Sequence, residues 1–185
     1  MSVVPRPLMP CPSMPTPARS LISPPLLTTA DIRAIDRQWA DTHPDRSLME
    51  RAGAAAAELA GRLASESGEP VLVLAGPGNN GGDALVAARR LSEQGFRVIV
   101  VSRAEPAHLP PDAAHAWAAW RERGGAVLPD MPPAQQYSLV VDGLFGVGLQ
   151  RDITGEEARW IAIANDLNCP RLALDVPSGL DSDRG

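Results

Sequence analysis

The sequence predicts an α/β fold in which a mostly parallel sheet lies between two layers of helices. Short continuous apolar runs such as residues 71–75 alternate along the chain with longer segments of helical periodicity. Such runs are typical of parallel strands buried on both faces. A glycine-rich turn follows the first run and leads into a helix, as in nucleotide-binding βαβ units. We therefore expect a Rossmann-like three-layer α/β/α sandwich.

Length and charge limit the possible functions. The 185 residues are typical of one domain, and the formal charge of -5 argues against a general nucleic-acid binder, which would present a basic face. No apolar segment is long enough to span a bilayer. Cys11 and Cys169 are expected to be reduced thiols rather than a disulfide framework or a zinc site. We expect a cytoplasmic protein without a nucleic-acid or membrane partner.

The domain is expected to begin near Thr28. Residues 1–27 are rich in proline and have no periodicity, so we expect a disordered tail there. Thr28 or Thr29 can cap a helix with Asp31 in its first turn. The apolar stripe of this helix consists of Ile32, Ile35 and Trp39. A second helix over 48–63 is preceded by the capping-box pair Ser47 and Glu50.

The elements that follow alternate between strands and helices, which indicates parallel βαβ units. Trp117 and Trp120 share one face of a predicted helix and are interpreted as core or oligomer contacts. We expect strands at 71–75, 97–101, 126–128, 139–141 and 171–174, and helices at about 82–94, 112–123 and 155–167.

The segment 76–81 matches G-x-G-x-x-G, with glycines that are expected to permit positive φ and close approach of a phosphate. Asp83 is expected in the first helical turn, where a carboxylate would repel phosphate or simply cap the helix. Asn79 and Asn80 can coordinate a cation or bind sugar hydroxyls. Arg103 follows the next strand, where NAD dehydrogenases have a ribose-binding acid.

Oxygen-bearing side chains follow several strands of the predicted sheet. Because the carboxyl ends of parallel strands share one edge, we expect Asn80, Asp142, Asp175 and Ser178 to converge there, although each also suits a turn. Such an all-oxygen set suits a hard cation, and Arg151 in the loop after Asp142 can meet a phosphate. The histidines are interpreted as surface or structural residues: His43, His108 and His115.

Four blocks together resemble the NAD(P)H-hydrate epimerases, the N-terminal half of many bifunctional nicotinamide repair proteins. The blocks are L-M-E-R-A-G (48–53), A-G-P-G-N-N-G-G-D (75–83), V-D-G-L-F-G-V-G-L (141–149) and L-D-V-P-S-G-L (174–180). The resemblance covers residues 28–185, which we expect to form one domain that lacks the C-terminal part usual in the family. The sequence departs from the family pattern at Ala84, usually glycine, and at Val147, usually threonine.

The resemblance implies an isomerase that interconverts the R and S forms of hydrated NADH or NADPH. It implies a homodimer, a partner dehydratase that restores the reduced cofactor, and a potassium ion held by Asn80, Asp142 and Ser178. Substrate contacts would fall on Asn79, Asn80, Gly81, Gly82, Asp83, Gly146, Val147, Gly148, Leu149, Gln150, Arg151, Asp152 and Asp175.

Asp175 is the candidate catalytic residue. Epimerisation needs a group that gives and takes a proton, and a carboxylate at the end of a buried strand can have a raised pKa. Two other functions stay open. The G-x-G-x-x-G turn and Arg103 also suit an NADP-dependent oxidoreductase, although Asp83 and the paired asparagines argue against it. A non-catalytic nucleotide- or protein-binding module is the second alternative.

Overall fold

A computed structural model describes residues 27–43, 45–64, 68–133, 135–149 and 151–184. The predicted tail, apart from Leu27, and Cys11 lie outside these ranges. The helices are α1 (Thr29–Thr42), α2 (Leu48–Leu63), α3 (Asn79–Glu93), α4 (Pro111–Glu122) and α5 (Glu156–Asp166), and the strands are β1 (Val71–Ala75), β2 (Val98–Val101), β3 (Val127–Leu128), β4 (Leu139–Gly143) and β5 (Arg171–Ala173).

The five strands form one parallel sheet in the order β3-β2-β1-β4-β5. Val71 in β1 pairs with Val98 of β2 on one side and with Leu139 of β4 on the other. The chain therefore leaves β1 in one direction and later returns to its opposite side. In open α/β sheets this reversal creates a crevice at the carboxyl ends of the strands, between β1 and β4.

Helices cover both faces of the sheet, which confirms the predicted three-layer sandwich. Val71, Val73 and Ala75 of β1 pack in one core with buried side chains of α2, α3 and α4. Leu72 and Leu74 face the opposite core, which contains the fully buried Trp160 of α5. Both sides of β1 are thus removed from water, as its continuous apolar run requires.

The predicted N-terminal caps are present, with one difference. The Thr28 hydroxyl accepts a hydrogen bond from the Asp31 N–H, and the Asp31 carboxylate accepts one from the Thr28 N–H. Ser47 likewise accepts from the Glu50 N–H. The Glu50 carboxylate, however, does not bond back to Ser47, because both of its oxygens accept hydrogen bonds from Arg89 of α3 at 2.7 Å.

Helix α3 begins at Asn79, three residues before the predicted start. Asp83 therefore lies in the second turn of the helix and not in the first. The turn glycines do not use their freedom to adopt positive φ, since none of those in 76–82 does. They are needed for close packing instead: a Cβ at Gly76 would overlap the Leu144 carbonyl oxygen, and a Cβ at Gly81 would overlap that of Gly76.

The apolar stripe predicted for α1 is not buried. Ile35 is 49 % exposed, and the helix contains no buried residue. Trp39 instead stacks on His43, with ring centroids 3.9 Å apart, and the Arg51 guanidinium lies 4.6 Å above its ring. The difference arises because α1 borders a wide cleft rather than the core.

The remaining helices and strands begin and end within two residues of the predicted positions. Trp120 is buried and donates a hydrogen bond to the Ala126 carbonyl, and Trp117 packs against the same core, so both are core contacts. His108 and His115 are exposed. Cys169 is a half-buried free thiol. Among the described residues, no helix is both long enough and apolar enough to cross a bilayer.

Candidate active site

A cleft of about 1750 Å³ opens at the carboxyl ends of β1 and β4. Its walls come from α1, the start of α2, the glycine-rich turn, the start of α3 and the segments that follow β4 and β5. Ordinary small-molecule pockets measure roughly 300–1,000 Å³. The cleft therefore has room for a ligand as large as a dinucleotide.

A hydrogen-bond network joins the loops that follow β4 and β5. The Ser178 hydroxyl donates to Asp142 Oδ1 at 2.7 Å, and the Ser178 N–H donates to Oδ2 at 2.9 Å. The Phe145 N–H in turn donates to the Ser178 hydroxyl at 3.0 Å, and the Leu144 N–H donates to Asp142 Oδ1 at 3.2 Å. This network fixes the beginning of the 144–149 loop against the turn that contains Ser178.

Asn80 is buried, with only 7 % of its surface exposed, yet its amide has no hydrogen-bond partner among the described residues. Buried polar atoms are nearly always paired, so an orphaned amide indicates a missing ligand, ion or water. The Asn80 side chain lies next to Gly146. A Cβ on this glycine would stand 3.2 Å from the Asn80 side-chain carbon and would overlap an Asp175 carboxylate oxygen. Asn80 and Asp175 therefore both approach the same glycine.

Asp175 has the only positive φ found among the described non-glycine residues, 61°. Its carboxylate is directed by this turn toward Gly146 while the residue stays open to the cleft. Desolvation raises the pKa of Asp175, an N–H of Val147 opposes the rise, and the negative charge of Asp36 adds to it. The expected upward shift is thus present, and it favours the protonated carboxyl.

Asp83 is half-buried on the cleft side of α3, and its pKa is raised further than that of Asp175. Desolvation, followed by repulsion from Asp175 and then from Asp36, raises the pKa of Asp83 to about 7. Three carboxylates thus interact here, and near neutral pH Asp83 exchanges a proton readily. A group whose pKa lies near the working pH is well suited to proton transfer.

The structure brings most of the predicted substrate-contact residues to the cleft wall. Those that line it are Asn79, Asn80, Asp83, Gly146, Val147, Gly148, Leu149, Arg151 and Asp175. Gly81 and Gly82 do not, since Gly81 is buried against the backbone of Gly76 and Gly82 is buried against Met49 of α2 and Ala113 of α4. Asp152 is exposed outside the cleft, Asp142 and Ser178 form the network behind it, and Gln150 lies outside the described residues.

A profile of the family described as "YjeF-related protein N-terminus" matches residues 45–185. The chain belongs to this family. An NAD(P)H-hydrate epimerase of Bordetella pertussis is 53 % identical over 140 residues, which cover 75 % of this chain and 60 % of that protein. The chain thus spans about three fifths of the length of this curated relative.

Other members of the YjeF-related family match over more of the chain. An NAD(P)H-hydrate epimerase of Rhodobacter capsulatus is 40 % identical, and the match covers 85 % of this chain and 78 % of that protein. A bifunctional NAD(P)H-hydrate repair enzyme of Thermosynechococcus vestitus is also 40 % identical, and 32 % of it is covered. A crystal structure of the yeast protein ynu0 has the same fold, with a TM-score of 0.73 at 23 % identity over 87 % of this chain.

The two departures from the family pattern lie in different environments. Ala84 is fully buried, and its methyl group packs against Gly143 of β4, where a Cβ on the glycine would overlap it. It therefore fills the space between α3 and the sheet and not the cleft. Val147 lines the cleft and presents an apolar side chain there.

Sequence reasoning missed the contribution of α1 to the cleft. Arg33, Asp36 and Arg37 line it, as does Arg51 of α2. The signal was available, because charged residues at i, i+3 and i+4 share one helical face. Among the described residues no group of three or more His, Cys, Asp or Glu side chains could hold a metal ion, so a cation site here would depend on amide, hydroxyl and carbonyl oxygens as well.

The raised pKa of Asp83 predicts a pH-dependent stability. Its pKa rises from 3.8 in the unfolded chain to about 7 in the folded state, so folding is penalised once the group ionises. The stability that the protonated Asp83 contributes is fully present below pH 3.8 and is lost as the pH rises to about 7. Asp83→Asn should therefore flatten the decline in melting temperature between these limits, as measured by calorimetry.

The matched control is Asp166→Asn, which changes an exposed aspartate at the end of α5, on the opposite edge of the sheet. This variant should keep the wild-type slope of melting temperature against pH. An unchanged slope in Asp83→Asn would mean that Asp83 is not perturbed by its surroundings.

Proposed function

We propose that the chain is an NAD(P)H-hydrate epimerase that interconverts the R and S forms of hydrated NADH and NADPH. Membership of the YjeF-related family and the names of the two epimerase relatives support this activity. The observation that carries the proposal is the cleft floor, where Asp175, Asp83 and the orphaned Asn80 amide converge beneath a space large enough for a dinucleotide.

Asp175 is the proposed catalytic residue. Epimerisation at the hydrated ring carbon requires either the C–O bond to break and re-form or the ring to open and close. Both routes need a side chain that accepts and returns a proton, and desolvation raises the pKa of Asp175 above that of an exposed carboxyl. Desolvation and then repulsion from Asp175 raise the pKa of the half-buried Asp83 to about 7, so Asp83 is a second carboxyl on the floor that can hold a proton near neutral pH.

The residues Asn80, Asp142 and Ser178 fit a potassium ion. Their oxygens form the hard donor set that such a cation prefers, and the unpartnered Asn80 amide lacks the contact that a ligand would provide. A bound cation would supply fixed positive charge to a floor rich in carboxylates. Asp142 and Ser178 already hold each other in place, so two of the three residues are preorganised.

Two partners belong to the same proposal. A dehydratase would consume the S form, and the bifunctional name of the Thermosynechococcus relative supports a coupled reaction. The homodimer stays a prediction; Ile35, Leu59 and Leu63 are exposed apolar side chains that a second copy would bury.

The deciding experiment is a coupled epimerase assay. The chain is mixed with the R hydrate of NADPH, potassium and an excess of S-specific dehydratase, and regenerated NADPH is followed by its absorbance. We expect recovery to exceed the spontaneous rate and to fall when potassium is replaced by lithium. No acceleration by a folded chain would contradict the proposal and favour the binding module, whereas hydride transfer from NADPH to a substrate would favour the oxidoreductase.

A further inference from the structure

Helix α1 turns a mostly charged face toward the cleft. Its cleft-lining residues are spaced at helical intervals: Ile32, Arg33, Asp36, Arg37 and Ala40. No residue of α1 is buried, and the side chain of Ile35 is exposed. Core packing therefore does not explain why this helix borders the cleft. The family profile matches from residue 45, so it does not include this helix.

The arginines of α1 have no partner within the part of the chain that the structure describes. Arg33 and Arg37 make no ion pair and no side-chain hydrogen bond there. By contrast Arg89 and Arg90 of α3 are engaged with Glu50 and Glu93. In a chain of net charge -5, two guanidinium groups on one cleft wall that make no ion pair with the described residues favour an anionic ligand.

Arg33 reaches across the cleft to the loop after β4. Its guanidinium nitrogen Nη2 lies 3.5 Å from the point where a Cβ on Gly148 would stand. The exposed backbone of that glycine and a planar group with several N–H donors thus face the same volume. Guanidinium groups bind phosphate in a bidentate manner, and glycine allows backbone to approach an anion closely.

Three acidic residues of the cleft, Asp36, Asp83 and Asp175, lie close to one another at its floor. Asp36 interacts with Asp83 and Asp175, as its effect on the pKa of both shows. It therefore faces the cleft floor, while Arg33 lies beside the glycine loop. A ligand with a neutral reacting ring at the carboxylates and phosphates at the arginines would match this separation of charge.

We infer that Arg33 and Arg37 of α1 bind the phosphate groups of the dinucleotide, so that α1 forms one wall of the substrate site. The inference rests on the proposed function for the identity of the ligand, but it concerns residues outside the family match. The shared chemistry is a phosphate ester on an adenosine ribose, either the pyrophosphate or the 2′-phosphate of the NADPH form.

The test compares the full chain with Arg33→Ala/Arg37→Ala, Arg33→Lys/Arg37→Lys and Arg62→Ala. The control residue Arg62 lies at the end of α2 outside the cleft and pairs with Glu58. The probes are ADP-ribose and 2′-phospho-ADP-ribose, titrated by calorimetry, and the steady-state constants for the hydrated cofactors are measured in parallel. Circular dichroism checks that α1 and the fold are retained.

We expect the double alanine variant to lose at least ~10-fold in affinity, because each guanidinium–phosphate bond is charge-assisted. KM should rise with little change in kcat, and the lysine variant should recover part of the loss. Equal losses for both probes assign the arginines to the pyrophosphate, and a loss confined to the second probe assigns them to the 2′-phosphate.

Affinities that match those of Arg62→Ala would overturn the inference, as would a wild-type chain that binds neither probe. Failure of the proposed function has a different signature. In that case the wild-type chain would bind the probes through Arg33 and Arg37 but would not accelerate epimerisation.

Discussion

Asp175→Asn is expected to abolish epimerisation while substrate binding is retained. A side chain that transfers a proton in the rate-determining step typically contributes about 10²–10⁴-fold to the rate, so kcat should fall by at least about 100-fold. The amide cannot exchange a proton near neutral pH, but it keeps the size of the carboxyl. It also suits the backbone, because Asn tolerates the positive φ of 61° observed at this position.

The measurement is the coupled epimerase assay, combined with calorimetric titration of ADP-ribose to show that the cleft still binds a ligand. Asp166→Asn is the control, since it makes the same change at an exposed site away from the cleft. If Asp175→Asn kept wild-type turnover, Asp175 would not be the proton-transferring group, and Asp83 would be the next residue to substitute.

Gly76→Ala should have the largest effect on stability. Its Cβ would overlap the carbonyl oxygen of Leu144, which is backbone and cannot move aside as a flexible side chain would. To remove the overlap, the end of β1 must move away from the loop after β4. The hydrogen bond from the Gly76 N–H to the Gly143 carbonyl, 3.0 Å long, opposes this movement. Overpacking of this kind costs about 2–3 kcal/mol or more in the free energy of unfolding.

Gly78→Ala is the matched control in the same turn. No atom lies within 4 Å of a Cβ at Gly78, and its φ of -111° is allowed for alanine. Only the preference for glycine at a helix N-cap is lost, which amounts to about 1 kcal/mol or less. Urea unfolding of both variants measures the difference. Equal destabilisation would show that the close approach of Gly76 to Leu144 does not constrain this turn.

The sequence predicted several elements to the residue. Helix α2 and strand β1 have the predicted ends, because Ser47 marks the start of the helix and residues 71–75 form an uninterrupted apolar run. The start of α3 could not be predicted as well. Its first residues include two glycines, which are poor helix formers, yet the helix already begins at Asn79, where Gly81 packs against the backbone of Gly76.

In the candidate site, too, the sequence predicted some features and not others. The sequence predicted that Asp142 and Ser178 would converge, and the network between them follows from the parallel order of β4 and β5. It did not predict that Gly81 and Gly82 would be buried away from the cleft, because a motif does not specify which side of a helix is covered. The packing of Gly81 against the Gly76 backbone and of Gly82 against Met49 of α2 decides this.

By itself the sequence determined the class of fold and the sheet edge at which the chemistry-bearing residues meet, since apolar runs and the alternation of strands with helices are local patterns. The tertiary structure alone decided the large rise in the pKa of Asp83, the orphaned amide of Asn80 and the placement of the charged face of α1 against the cleft. These properties arise from burial and from charges brought together across long separations in the chain. Desolvation and Coulomb energies depend on distance in space, which no periodicity in the sequence encodes.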